Sequence, residues 1–174
     1  MKVLVTGATG FIGRYLIDDL KSAGIDYVTL GRGGSSSEEH IQLDLLSDED
    51  LVGHIKRIKP THLIHMAWYA EHGKYWESSL NIDWLAATTR LVEAFCQSGG
   101  KHVVITGTCA EYDWRYGYCV EDLTPLAPKT LYGISKNSAR NVSGQICKKY
   151  GVGLAWARIF FPYGLGESPD RLIP

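Results

Sequence analysis

Apolar positions in this chain fall into short runs that alternate with longer stretches of helical spacing. Lys2–Thr6 is a mostly apolar run ending in a glycine turn, as expected of a strand covered on both faces. Phe11–Ala23 repeats its apolar residues every three or four positions and stops at Gly24, the spacing and stop signal of a helix. Tyr27–Leu30 predicts a second strand, followed by the polar loop GRGGSSSEE with its Ser35–Ser37 tract. A short third strand, His40–Leu43, precedes a helix DEDLVGHIKRIK, expected to be capped by Ser47 and stopped by Pro60. His62–His65 predicts the fourth strand and Trp76–Gln97 a long helix, with Leu80, Trp84, Ala87, Thr88, Leu91 and Phe95 on one face. Val103–Thr106 reads as a fifth strand, Tyr132–Tyr150 as a helix with Ala139, Val142 and Ile146 on one side, and Leu154–Ile159 as a sixth strand. Gly107–Lys129 has no clear period, and loops of that length in compact domains are usually functional.

Strands separated by helices imply a parallel sheet with right-handed crossovers, so the expected fold class is α/β, a doubly wound parallel sheet with helices on both faces. The 174 residues suit a single domain. With 45% hydrophobic and 21% charged residues, disorder is excluded. A net charge of −1 offers no basic field for a nucleic-acid backbone, so no nucleic-acid partner is expected. Cys96, Cys109, Cys119 and Cys147 form no C-x-x-C pair, which predicts free thiols and a cytoplasmic location. No apolar stretch has the length of a signal peptide or a membrane span, so neither export nor membrane insertion is expected. The six His residues show no metal-ligand spacing, and no metal is expected.

Three motifs carry chemistry. TGATGFIG puts Gly7, Gly10 and Gly13 after a strand and at the opening of a helix. Residues without side chains permit the tight turn and the approach of a pyrophosphate to backbone amides at the positive helix end. Its G-x-x-G-x-x-G spacing is one residue longer than the common dinucleotide fingerprint. Tyr132 and Lys136 stand one helical turn apart, so an ammonium could lower the pKa of a phenol beside it; alone, such a pair also suits an exposed helix face. Thr106 and Thr108 close the fifth strand, where ligands of open α/β sheets bind. Thr108 is the candidate to hydrogen-bond a substrate oxygen, and Thr106 reads as a strand terminator. The second strand ends in Gly31 and Arg32 rather than in an acidic residue. Arg32 could pair with a ribose 2′-phosphate, which favours NADP, with NAD as the alternative. Trp68, Tyr69, His72, Tyr75 and Trp76 could stack on a substrate or simply cover a sheet edge.

Taken in order, TGATGFIG, Asp44-Leu45, His65-Met-Ala-Trp68, Thr108 four residues before Tyr112, the Tyr132/Lys136 pair and Arg158-Ile-Phe-Phe-Pro-Tyr-Gly164 resemble the extended short-chain dehydrogenase/reductase family. Its members are NAD(P)-dependent epimerases, dehydratases and reductases of nucleotide sugars. The resemblance implies a Rossmann-type domain over residues 1–174 in which Thr108, Tyr132 and Lys136 are catalytic. It also implies dinucleotide contacts from Gly7, Thr9, Gly10, Phe11, Ile12, Gly13, Arg32, Asp44, Leu45, Met66, Ala67, Trp68, Thr106, Tyr132, Lys136 and Phe160. Family dehydratases carry an Asp-Glu pair after the catalytic Thr; here Cys109 and Ala110 stand there, so dehydration is not expected and Cys109 reads as packing. Phe161 replaces an Asn common in the sugar epimerases. The expected activity is NADP(H)-dependent reduction of a 4-keto-6-deoxy nucleoside-diphosphate sugar by a homodimer. The alternatives are a 4-epimerase that retains its NAD(P) and a non-catalytic dinucleotide-binding module. Family members continue into a separate substrate-binding lobe, and this chain, ending fifteen residues after Ile159, is expected to lack most of it.

Overall fold

The computed structural model describes residues 1–33, 39–47 and 50–169. The predicted Ser35–Ser37 tract and the last five residues lie outside them. Six strands, β1 (Lys2–Thr6), β2 (Asp26–Gly31), β3 (His40–Gln42), β4 (His62–His65), β5 (His102–Thr108) and β6 (Gly153–Ile159), form one sheet. All pairings are parallel, in the order β3-β2-β1-β4-β5-β6. The expected doubly wound α/β class is the observed one.

Chain direction across the sheet reverses between β1 and β4. Moving from β1 to β2, α1 (Phe11–Ser22) covers one face; α2 (Leu51–Ile58), α3 (Leu80–Gln97) and α4 (Leu131–Tyr150) accompany the opposite movement. Right-handed crossovers therefore put them on the other face. Two cores follow from the alternation of side chains along each strand. Val3 and Val5 pack with Ile17 and Leu20 of α1, while Leu4, Leu63 and Ile105 pack with Leu91 and Phe95 of α3. Between the sheet and α3, His65 is buried together with the hydroxyls of Thr6 and Thr88. Its Nδ1 is 2.6 Å from the Thr6 hydroxyl and its Nε2 is 2.9 Å from the Thr88 hydroxyl. Burial holds this imidazole neutral, with its pKa pushed down to about 3.

Several boundaries differ from expectation. The cap of α2 is Asp50, not Ser47: its Oδ1 accepts the Gly53 amide at 2.9 Å, whereas the Ser47 hydroxyl donates to the Asp44 carbonyl. A carboxylate next to the first turn also faces the positive helix end, which makes it the stronger cap. The long helix begins at Leu80, after a separate 3₁₀ turn at Tyr75–Glu77. Thr106 does not terminate β5, because β6 pairs with it through Thr108↔Ile159.

Candidate active site

The turn after β1 and the loop after β4 meet where the strand order reverses, the crevice in which open α/β sheets bind ligands. Gly7 has φ +76°, and a Cβ there would stand 2.7 Å from the Ala67 amide nitrogen. A Cβ on Gly13 would stand 2.1 Å from the Gly7 carbonyl oxygen. Both positions are closed to any side chain. Gly10 opens α1 with no side-chain cap and no acidic residue in the first turn, leaving the amides and the positive helix end to an anion. The residues present thus fit a dinucleotide pyrophosphate. Thr9 is exposed beside them, Phe11 and Ile12 are half-buried, and the Phe11 ring meets Tyr15 edge-on at 5.9 Å. Arg14 and Tyr15 donate to the carbonyls of Gly166 and Leu165, both at 2.7 Å, so the chain after β6 lies against α1.

The other expected dinucleotide contacts line the same sheet edge unevenly. Arg32 is exposed just beyond β2. Asp44 turns its carboxylate onto the Leu46 amide at 3.0 Å. Leu45 is buried, and both residues border a cavity of about 350 Å³ between α2 and α3 that contains none of Thr108, Tyr132 or Lys136. Met66 and Ala67 are half-buried after β4. Phe160 is 45% exposed, with its ring 6.1 Å from Tyr112 and 6.3 Å from Trp114.

At the carboxyl ends of β4 and β5 the structure brings Thr108, Tyr132, Lys136, Thr106 and Trp68 together. Thr130 caps α4 by accepting the Gly133 amide at 3.1 Å, which sets Tyr132 in the first turn and Lys136 one turn later. Gly133 is needed here because a Cβ would stand 2.7 Å from the Ala110 carbonyl oxygen. The Tyr132 ring is boxed edge-on by Tyr75 at 4.7 Å, Trp76 at 5.8 Å and Trp68 at 6.4 Å. Burial pushes its phenol up to about 12, and the Thr108 hydroxyl pulls it partly back. Lys136 is buried; its Nζ donates to the Thr106 carbonyl at 2.8 Å and lies 4.0 Å from the centre of the Trp68 ring. Loss of water brings its ammonium down to about 7, against an upward pull from Glu111. The expected lowering of the phenol pKa by Lys136 is therefore not what the geometry gives. The ammonium is directed to Thr106 and Trp68, and desolvation outweighs neighbouring charge at both groups. Cys109 is buried beside Thr108 with its thiol pushed up by burial, a packed neutral group.

Two residues that the motifs did not single out organise this site. Asn81 is fully buried, accepts the Trp68 indole N–H at 2.8 Å and donates to the Tyr75 carbonyl at 2.7 Å, fixing two walls of the Tyr132 box. Glu111 is fully buried and ion-paired with Arg158 at 2.8 Å. Its spacing of three residues from Thr108 is that of a capping box, the one local signal that could have found it. Among the described residues no His/Cys/Asp/Glu group could hold a metal ion, and no helix is long and apolar enough to cross a membrane.

Comparison with known proteins agrees with this geometry. A dTDP-6-deoxy-L-talose 4-dehydrogenase (NAD(+)) from Aggregatibacter actinomycetemcomitans is 25% identical over 173 residues, 94% of this chain and 62% of that protein. A UDP-glucose 4-epimerase from Mycolicibacterium smegmatis is 29% identical over 154 residues, 78% and 48% of the two chains. The structure of MoeE5 in complex with UDP-glucuronic acid and NAD superposes with a TM-score of 0.82 at 30% identity, covering 98% of this chain and 58% of that one. This chain thus spans roughly half to three-fifths of the length of these relatives. The profile of the NAD dependent epimerase/dehydratase family matches residues 3–174, and with the glycine turn and the Thr108–Tyr132–Lys136 cluster at the expected sheet edge, the chain belongs to that family.

Proposed function

We propose that the protein is an NAD(P)-dependent oxidoreductase of nucleotide sugars that interconverts a 4-keto and a 4-hydroxy 6-deoxy sugar on a nucleoside diphosphate, acting as a reductase. The observation that carries this reading is the convergence of Thr108, Tyr132 and Lys136 beside a glycine turn shaped for a pyrophosphate. A dehydrogenase and a ketoreductase of the same sugar carbon run one reaction in opposite directions, so the Aggregatibacter relative supports this substrate class.

A nicotinamide bound in the crevice would supply or accept the hydride. Gly7, Gly10 and Gly13 would hold the pyrophosphate, Arg32 the ribose 2′-phosphate that favours NADP, and Lys136 the nicotinamide ribose. Tyr132 keeps its proton to alkaline pH and is the acid that gives it to the substrate oxygen in reduction and takes it back in oxidation. Thr108, in contact with the same phenol, donates a hydrogen bond to that oxygen as charge develops on it. Trp68, Tyr75 and Trp76 exclude water from the proton path. Cys109 is a neutral thiol and Ala110 has no titratable group, so the two positions after Thr108 supply no acid–base pair for eliminating water from an intact hexose. The UDP-glucose 4-epimerase relatives favour a second reading, 4-epimerisation with the same three residues and a retained dinucleotide.

The test is turnover of a 4-keto-6-deoxy nucleoside-diphosphate sugar followed by nicotinamide absorbance, with UDP-glucose as the epimerase probe. Tyr132→Phe should keep dinucleotide affinity and lose roughly 10²- to 10⁴-fold in turnover. A fully active variant rejects Tyr132 as the proton donor. Interconversion of UDP-glucose and its 4-epimer without net cofactor oxidation selects the second reading.

A further inference from the structure

Glu111 has more partners than a helix cap requires. The turn Cys109–Glu111 is one short 3₁₀ element, closed by a reciprocal cap: the Thr108 hydroxyl accepts the Ala110 amide at 3.2 Å, and Glu111 Oε1 accepts the Thr108 amide at 2.9 Å. Such a cap ordinarily sits in water, where either an amide or a carboxylate serves. Here the carboxylate is fully buried and is met from β6 by the Trp156 indole N–H, at 2.9 Å from Oε1 and 3.1 Å from Oε2, and by Arg158 Nε at 2.8 Å from Oε2. Each oxygen thus faces donors, so no uncharged isostere of this size satisfies the pocket. Arg158 is anchored in turn: its guanidinium lies over the Tyr112 ring at 5.0 Å. Room for the arrangement is made at Gly107, where a Cβ would stand 2.1 Å from Trp156 Nε1 and 2.6 Å from Glu111 Oε1.

A buried ion pair adds little net stability when compared with apolar residues of the same shape. What this pair does is fix a backbone. Glu111 grips the Thr108 N–H, while the Ala110 carbonyl of the same turn packs on Gly133, the residue after Tyr132. The turn is clamped between β6 on one side and the first turn of α4 on the other. We propose that Glu111, locked by Arg158 and Trp156, is the positioning residue that sets the Thr108 hydroxyl against the Tyr132 phenol and so fixes where a substrate oxygen sits between them. This inference rests on the reading of Thr108 and Tyr132 given above.

In Glu111→Gln one oxygen becomes an NH₂ that faces a donor wherever it points, so the grip on Thr108 loosens. The test is a double-mutant cycle in the purified protein over wild type, Thr108→Val, Glu111→Gln and the double variant. dTDP-6-deoxy-L-talose with NAD(P)⁺ and UDP-glucose serve as probe substrates, and amide hydrogen exchange at Thr108 gives a substrate-free readout. Glu111→Gln is expected to lower kcat roughly 10- to 100-fold with KM and dinucleotide affinity unchanged. The same substitution should cost almost nothing in the Thr108→Val background, because its effect runs through Thr108. Exchange at the Thr108 amide should rise. Since an unpaired Arg158 can unfold the chain, Glu111→Ala/Arg158→Met is measured beside it; it leaves no lone charge but still removes the acceptor, and the same loss in kcat is expected. An unchanged kcat, an equal fold-loss in both backgrounds or unchanged exchange at Thr108 overturns the inference. Full turnover by Tyr132→Phe instead defeats the underlying reading of the site, whatever Glu111→Gln does.

Discussion

Replacing Lys136 by Met should leave the protein more stable near neutral pH and without turnover. The side chain is 3% exposed, and its contacts are the Thr106 carbonyl and the face of Trp68. An unfolded Lys keeps its proton to a pH of 10.5, whereas this one releases it at about 7. Between those values the unfolded chain binds more protons than the folded one, so stability rises with pH. A span of about 3.5 pH units at about 1.4 kcal/mol each puts the burden of the buried ammonium at about 5 kcal/mol below pH 7. Met removes that burden but also loses a hydrogen bond and a cation–π contact, together worth about 2 kcal/mol. The variant should therefore gain roughly 3 kcal/mol at acidic to neutral pH, and the gain should shrink and reverse as pH rises toward about 10. Urea unfolding followed by tryptophan fluorescence at about pH 6, 8 and 10 measures it. Comparison of the two proteins at each pH separates this effect from those of Tyr132, Cys96, Cys109 and Cys147, whose proton affinities burial raises and which the substitution leaves in place. Parallel stability curves for Lys136→Met and wild type would refute the reasoning.

Acid should destabilise the protein through His65. The folded imidazole resists protonation to about 3 while the unfolded one charges near 6.5, so its contribution is intact above 6.5 and is lost as pH falls from there toward 3. Thermal melts should show a shallower acid limb in His65→Gln than in wild type. Arg32→Ala should weaken NADP binding by roughly tenfold or more, the value of a charge-assisted hydrogen bond, and leave NAD binding unchanged in calorimetry. Equal affinity of the wild type for both cofactors removes the basis for NADP. In Gly13→Ala the new methyl would meet the Gly7 carbonyl at 2.1 Å; denaturant unfolding should show a loss of about 1–3 kcal/mol, with weaker binding of either dinucleotide.

Local pattern was enough to read the order of the elements, the parallel class of the sheet, the glycine turn at the head of α1, and the one-turn spacing of Tyr132 and Lys136. These depend on periods of two and 3.6 residues and on backbone angles open only to glycine, properties carried within a few neighbouring positions. The end of β5 was beyond such reading, because Thr106 remains in the strand only through pairing with β6, some fifty residues later in the chain. Tertiary structure also decided the chemistry of the site. Whether Lys136 lowers the Tyr132 pKa depends on how far each is removed from water and on where the ammonium points, and folding turned it toward Thr106 and Trp68. The structural roles of Asn81 and Glu111 were hidden for the same reason. One looks like any polar residue at a helix start and the other like any loop carboxylate, until Trp68 and Arg158, brought in from 13 and 47 residues away, bury and pair them. A sequence states which groups are available at each position, but burial and long-range pairing set their charge, their orientation and hence their use, and these arise only when distant segments close on one another.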